Sequence, residues 1–373
     1  MRLSTRPLTL TLALAAVLAV ALGCGSKFSL PTETPGGLVP PDSAYTFRGI
    51  LEGFTEPTDV LVTRSSGKQL LVLYGAAADT RPDCGAGSLP PGTARLYPIF
   101  ARTGTPPLSV SFDGMWRPQL AAEGGGRLFI FDAGDTCLRF TQPNLAPRVF
   151  VYQVGTTAPL ASFADTNWAD VRGLAVSTDH TVYVSGTFRV LEPDEFGRRT
   201  ARFRDGIWRY QEADGYAHRD FGWTVLEGSG TGFVSRQRGI SWGPSSSPFL
   251  WVADGEKQAV QKLIIEADSL SHGLYQFDGT ASGLRFQDPV DVAVDDSSYI
   301  FVVDRGSARV LRYHDDGFSP TYLQQVNLGI LQGEPALVAP AAVAVVDTIA
   351  FVADPPLGAA LRYERRRPCP TCY

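Results

Sequence analysis

Charge is scarce in this chain. Asp, Glu, Lys and Arg make up 19% of its 373 residues, against about 25% in ordinary soluble domains. That shortage excludes a coiled coil, a long helical bundle and a highly charged disordered chain. A basic surplus is missing too. The formal net charge is −5, which argues against a nucleic-acid binder that works by neutralising phosphates. The histidines are His180, His218, His272 and His314, and no pair has metal-ligand spacing. No Gly-x-Ser-x-Gly elbow, Walker motif or Rossmann motif stands in its strand–helix context. Beyond residue 22 no apolar run approaches the ~18 residues that span a bilayer.

Glycine and proline are plentiful instead, at 38 and 27 residues. Together they exceed the usual share of about 12% but stay below the level of low-complexity disorder. Hydrophobic residues at 44% and aromatics at 11% supply a sizeable core.

The first 23 residues read as a targeting segment. Arg2 and Arg6 precede an apolar stretch over 8–22, which suits a signal core and is short for a membrane span. It ends at Ala21-Leu22-Gly23-Cys24, which resembles the lipobox of bacterial lipoproteins. The resemblance implies cleavage before Cys24 and a diacylglycerol on its thiol. Gly25 in place of Asp resembles the default for outer-membrane sorting in a Gram-negative cell. The alternative is an ordinary signal peptide cut nearby, leaving Cys24 a plain thiol. Pro31, Pro35, Pro40 and Pro41 among Ser, Thr and Gly then mark residues 25–44 as a tether, about 25 Å end to end if flexible.

Internal repetition dominates the rest. Residues 289–295, 299–304 and 308–313 form three β-branched, aromatic-rich runs separated by short turns. The order recurs at 340–345, 349–354 and 359–363, and at 238–242, 249–254 and 259–263. Looser copies occupy 171 onward with 181–184 and 206–210, 118 onward with 128–132 and 137–140, and 57 onward with 70–74 and 94–97. Asp254, Asp304 and Asp354 end equivalent second strands. These six units resemble the NHL-repeat family of six-bladed β-propellers, over about residues 45–364. A fourth strand is expected between units, at 108–112, 160–163, 222–226, 274–277 and 322–328. The sixth is expected before unit one, at 45–51, so that the N-terminal strand closes the last blade and removes an open sheet edge.

Phe54, Met115, Trp168, Phe286 and Leu337 precede first strands and are expected to pack blade corners; Trp116 and Trp168 could otherwise form an exposed binding pair. Asp132, Asp254, Asp304 and Asp354 are expected to accept turn N–H groups rather than form a metal ring. Arg309 resembles the family's structural arginine.

Function is expected on the face that carries the connections from strand two to three and from strand four to one, here called the top. The long connections, 75–92 and 185–205, fall there. The starts of first strands offer Asp59, Gln119, Arg172, Arg238 and Asp291 around the channel mouth, either for a polar ligand or as mutual salt bridges. Leu120, Gly173, Gly239 and Ala342 match Asp59 elsewhere. Some six-bladed propellers are calcium-dependent lactonases; Asp59, Asn167, Asp170 and Asp291 could barely supply the six to eight oxygens calcium takes. RNA-binding relatives use a basic face absent here, so no nucleic-acid partner is expected. Cys84 and Cys137 form one disulfide candidate and Cys369 and Cys372 another. The sequence thus predicts a monomeric, lipid-anchored, extracytoplasmic binding or scaffold propeller of the bacterial cell envelope. Its top face would engage a protein or small polar ligand without a required cofactor. The alternative is a calcium-dependent lactonase or related hydrolase.

Overall fold

A computed structural model describes residues 44–64, 67–75, 90–108, 112, 115–135, 142, 145–156, 158–217, 219–224, 236–243, 249–265, 270–317, 319–327 and 334–365. The chain is all-β, a ring of six antiparallel sheets. Blade one holds β2 (Pro57–Val62), β3 (Gln69–Tyr74) and β4 (Thr93–Pro98). Blade two holds β5 (Pro118–Gly124), β6 (Arg127–Asp132), β7 (Arg148–Gln153) and β8 (Ala161–Phe163). Blade three holds β9 (Trp168–Val176), β10 (Val182–Pro193), β11 (Arg199–Tyr210) and β12 (Arg219–Thr224). In blade four are β13 (Gln237–Trp242), β14 (Phe249–Asp254), β15 (Ala259–Ile265) and β16 (Leu270–Phe277). Blade five has β17 (Pro289–Val294), β18 (Tyr299–Asp304), β19 (Arg309–His314) and β20 (Thr321–Gln325). Blade six combines β21 (Ala342–Val346), β22 (Ile349–Asp354) and β23 (Ala359–Arg365) with β1 (Tyr45–Glu52).

The expected closure is present. β1 lies antiparallel to β23, from Tyr45 opposite Arg365 to Glu52 opposite Ala359. The fourth strands also form, with shifted ends. In blade one the predicted strand 108–112 lies mostly outside the described residues, but Leu108 N–H donates to Leu96 O at 2.8 Å on β4.

Continuous apolar runs follow from burial on both faces. Ile300, Phe301, Val302 and Val303 are all fully buried. Alternation sends Phe301 and Val303 into the core against blade six, and Ile300 and Val302 into the core towards blade four. The corner residues do pack. Trp168 meets Phe131, Phe163 and Tyr210 edge-on and donates its indole N–H to Tyr210 Oη at 2.7 Å. Phe54 packs on Tyr74 and Tyr97.

The strand-ending aspartates are buried yet satisfied. Asp132 accepts the N–H groups of Trp116, Arg117 and Gly134 at 2.6, 2.6 and 3.0 Å. Asp304 accepts those of Gln287 and Asp288 at 3.0 and 2.8 Å, and Asp354 those of Val338 and Ala339. Each thereby ties the lead-in segment of its blade to the end of its second strand. Arg309 adds a 3.1 Å ion pair to Asp304 and a 2.7 Å bond to Arg285 O.

Two expectations are corrected. The third strand of blade two is β7, not 137–140, because Arg148-Val-Phe-Val-Tyr-Gln supplies a full six-residue partner for β6; 136–141 lie outside the described residues. The long 185–205 connection is not a loop. β10 and β11 run on as a paired ribbon from Val182 opposite Tyr210 to Pro193 opposite Arg199. Its turn is held by Asp194, whose carboxylate accepts the N–H groups of Phe196 and Arg198 at 2.9 and 2.8 Å. Sequence inspection also missed a cross-strand pair repeated in four blades. A buried cation lies opposite an aromatic ring: Tyr183 and Arg209, Trp251 and Lys262, Phe301 and Arg312, Phe351 and Arg362. Lys262 Nζ lies 4.0 Å from the Phe249 ring centre and 2.6 Å from Asp315.

Candidate functional site at the channel mouth

The six first strands, β2, β5, β9, β13, β17 and β21, surround a central channel of about 530 Å³. Its wall mixes polar and apolar surface in nearly equal measure. At the top end β2 and β17 each carry a bulge, between Pro57 and Asp59 and between Pro289 and Asp291. A bulge re-aims a side chain and disrupts the ladder locally, and here the re-aimed side chains are carboxylates lining the channel.

Each carboxylate also bonds to the next blade. Asp59 accepts its neighbour Val60 N–H at 2.8 Å and the Ala121 N–H of blade two at 2.7 Å. Asp291 accepts the Val343 N–H of blade six at 2.9 Å. Glycine at the matching positions is explained by the same close approach. A Cβ on Gly239 would strike the Asp291 carboxylate, and one on Gly173 would strike Ser185 Oγ and Arg238 O. Burial pushes Asp59 well above the usual carboxylate range, and repulsion from Asp291 adds to it. Burial likewise pushes Asp291 up to about 7. A carboxyl that keeps its proton near neutrality can donate as well as accept. The mouth therefore offers a small polar molecule hydrogen-bonding groups of both kinds.

The structure brings Asp59, Asp291 and Arg172 to the channel lining. It does not make the two arginines partners of the two acids. Arg172 is held by Asp170 at 2.6 Å, Asp205 at 3.3 Å and Thr187. Arg238 faces Asp288 at 3.7 Å, and burial lowers its pKa, as do the neighbouring cations Arg305, Arg172 and Arg236. Gln119 lies on β5 beside Leu120, which lines the channel where Gln119 does not.

The four candidate calcium ligands do not converge. The Asn167 amide bonds to Asp165 at 2.7 Å, and Asp170 holds Arg172. Among the described residues no group of three or more His, Cys, Asp and Glu side chains is placed to hold a metal. The arrangement does not fit an ion that takes six to eight oxygens. Cys24, Cys84, Cys137, Cys369 and Cys372 lie outside the described residues. So does Phe233.

No protein-family model matches this chain, and no curated protein matches its sequence. Solved structures similar to it include the WD40 β-propeller domain of Doa1, at TM-score 0.49 and 10% identity, covering 87% of this chain and 98% of that one. A luciferin-regenerating enzyme is similar at TM-score 0.49 and 11% identity, over 84% and 92% of the two chains. A chain of a nidogen/laminin complex is similar at TM-score 0.45 and 13% identity, over 82% and 89%. The six-bladed ring itself rests on the strand order above.

Proposed function

We propose that this chain is a lipid-anchored, extracytoplasmic binding propeller of the bacterial envelope that meets a protein or small polar ligand with its top face. One observation carries the reading. The channel mouth and the free β10–β11 ribbon share one face, whereas β1 starts at the opposite face, where Tyr45 pairs with Arg365 at the end of β23. A tether running back from Tyr45 to a diacylated Cys24 leaves the top face pointing away from the bilayer. Long elements on one face of a rigid scaffold are where binding residues concentrate. The test places a photo-crosslinking amino acid at 170 or 191 on the top, or at 297 on the bottom, in the native host. Discrete protein adducts from the top positions alone support the reading. Adducts from 297 alone overturn it.

A second reading, a hydrolase working in the channel, is favoured by the Asp59–Asp291 pair, one member of which can hold a proton near neutrality. Lactone hydrolysis that is lost in Asp291→Asn would establish it; hydrolysis unchanged in that variant would dispose of it.

A further inference from the structure

The β10–β11 ribbon has two unlike faces. Pairing sets Phe188 opposite Arg204, Val190 opposite Arg202 and Glu192 opposite Thr200 on one of them. This face leans on the body of the protein. Phe188 is buried, and Val190 packs against the core between blades two and three. Glu192 holds Arg204 through two 2.9 Å bonds and Arg202 at 3.6 Å. The charges on this face are largely answered within the ribbon.

The other face carries Arg189 opposite Phe203, Leu191 opposite Ala201 and Pro193 opposite Arg199. All six are exposed, with Leu191 at 57% and Phe203 at 66%. Scattered surface apolar residues need no explanation, but a contiguous apolar patch does. Here Leu191, Pro193, Ala201 and Phe203 adjoin one another, bracketed by two guanidinium groups. The one carboxylate on this side of the ribbon, Asp205 opposite Thr187 at its base, is taken up by Thr187, Arg172 and the Arg236 N–H, and among the described residues neither Arg189 nor Arg199 has an ion-pair partner.

We propose that this face docks an extended, acidic protein segment in which aliphatic side chains alternate with carboxylates. The proposal rests on the top-face reading above and names the chemistry of its partner. An extended strand presents side chains at the same two-residue period as the ribbon. Its aliphatic groups cover Leu191 and Phe203 while its carboxylates meet Arg189 and Arg199. Opposite charge across the contact sets specificity and encounter rate more than raw affinity. A second copy is disfavoured, because a two-fold contact through this face gathers four guanidinium groups into one interface with no free carboxylate to answer them. A bilayer is disfavoured by the tip. Asp194 and Glu195 immediately precede Phe196 there, and the Arg198 guanidinium already sits 5.2 Å from the Phe196 ring centre. Anionic headgroups repel those carboxylates.

The test uses full-length protein and three fluorescent peptides, each with four leucines interspersed with glutamates, glutamines or lysines. Fluorescence anisotropy is expected to show saturable binding of the glutamate peptide at least tenfold tighter than the other two. That binding weakens severalfold between 0.05 and 0.5 M salt. Leu191→Ser with Phe203→Ser lowers it at least tenfold. Arg189→Glu with Arg199→Glu transfers the preference to the lysine peptide. Both sites are exposed, and unchanged thermal unfolding confirms that the variants fold. No binding, equal binding of acidic and basic peptides, or less than a twofold effect of the substitutions overturns the proposal. So does phosphatidylglycerol-vesicle binding with the same residue dependence, or a dimer that these substitutions dissolve. If the peptides fail while position 191 still crosslinks to protein in the host, the acidic-segment chemistry falls and the top-face reading stands. If both fail, both fall.

Discussion

Asp59 and Asp291 do two things at once: each fastens its blade to the next by a backbone hydrogen bond, and each faces the channel. The residue types were legible in the sequence, because an acid stands out where the matching positions hold Leu, Gly, Gly and Ala. Their partners were not legible, since Ala121 and Val343 belong to other blades. The arginine partners were hidden for a similar reason. Asp205 comes from the ribbon and Asp288 from the lead-in of the next blade, and no spacing along the chain reveals either. The carboxylates have a consequence for pH. Folded, Asp291 keeps its proton up to about pH 7; unfolded, it releases it near pH 4. The stability this group contributes is therefore complete below about pH 4 and is lost as the pH rises towards 7. An asparagine side chain in its place would accept the same Val343 N–H without ionising. Urea unfolding should show the natural protein losing stability relative to Asp291→Asn between pH 4 and 7, with a constant difference above. A difference independent of pH would contradict the buried, proton-retaining carboxyl.

Element by element, legibility followed burial. Blades five and six were read almost to the residue, because strands buried on both faces show continuous Val, Ile, Phe and Ala. β7 was missed in favour of a shorter run containing Cys137. The ribbon beyond Gly186 was read as a loop because a two-stranded arm with one solvated face carries few apolar residues, and its Arg and Glu alternation looks like a solvated segment. The closing strand was legible because a strand-like run over 45–51 precedes unit one, and its place is fixed by the pairing of β1 with β23. Its role is testable. Without residues 45–52, β23 presents an unpaired edge, and Leu51, buried between blades six and one, leaves a gap. The shortened chain should unfold at a lower temperature and self-associate. Calorimetry and sedimentation that match the full chain would refute closure by β1.

At the scale of the whole molecule, the glycine and proline excess resolves into turns of a repeated meander, and the low charge into blades packed on both faces. What emerges is a ring whose two ends differ. The bottom receives the start of β1; the top carries the channel mouth and an arm with an apolar, basic face. We propose that this polarity is used, with the bottom towards the bilayer and the top towards a partner. Energy transfer measures it directly. Full-length lipidated protein is placed in vesicles containing an acceptor-labelled lipid, with a donor dye introduced at 297 on the bottom or at 196 on the arm tip. Strong transfer from 297 and weak transfer from 196, both abolished with membrane attachment in Cys24→Ser, is the result expected. Equal transfer from the two positions, or stronger transfer from 196, would contradict it.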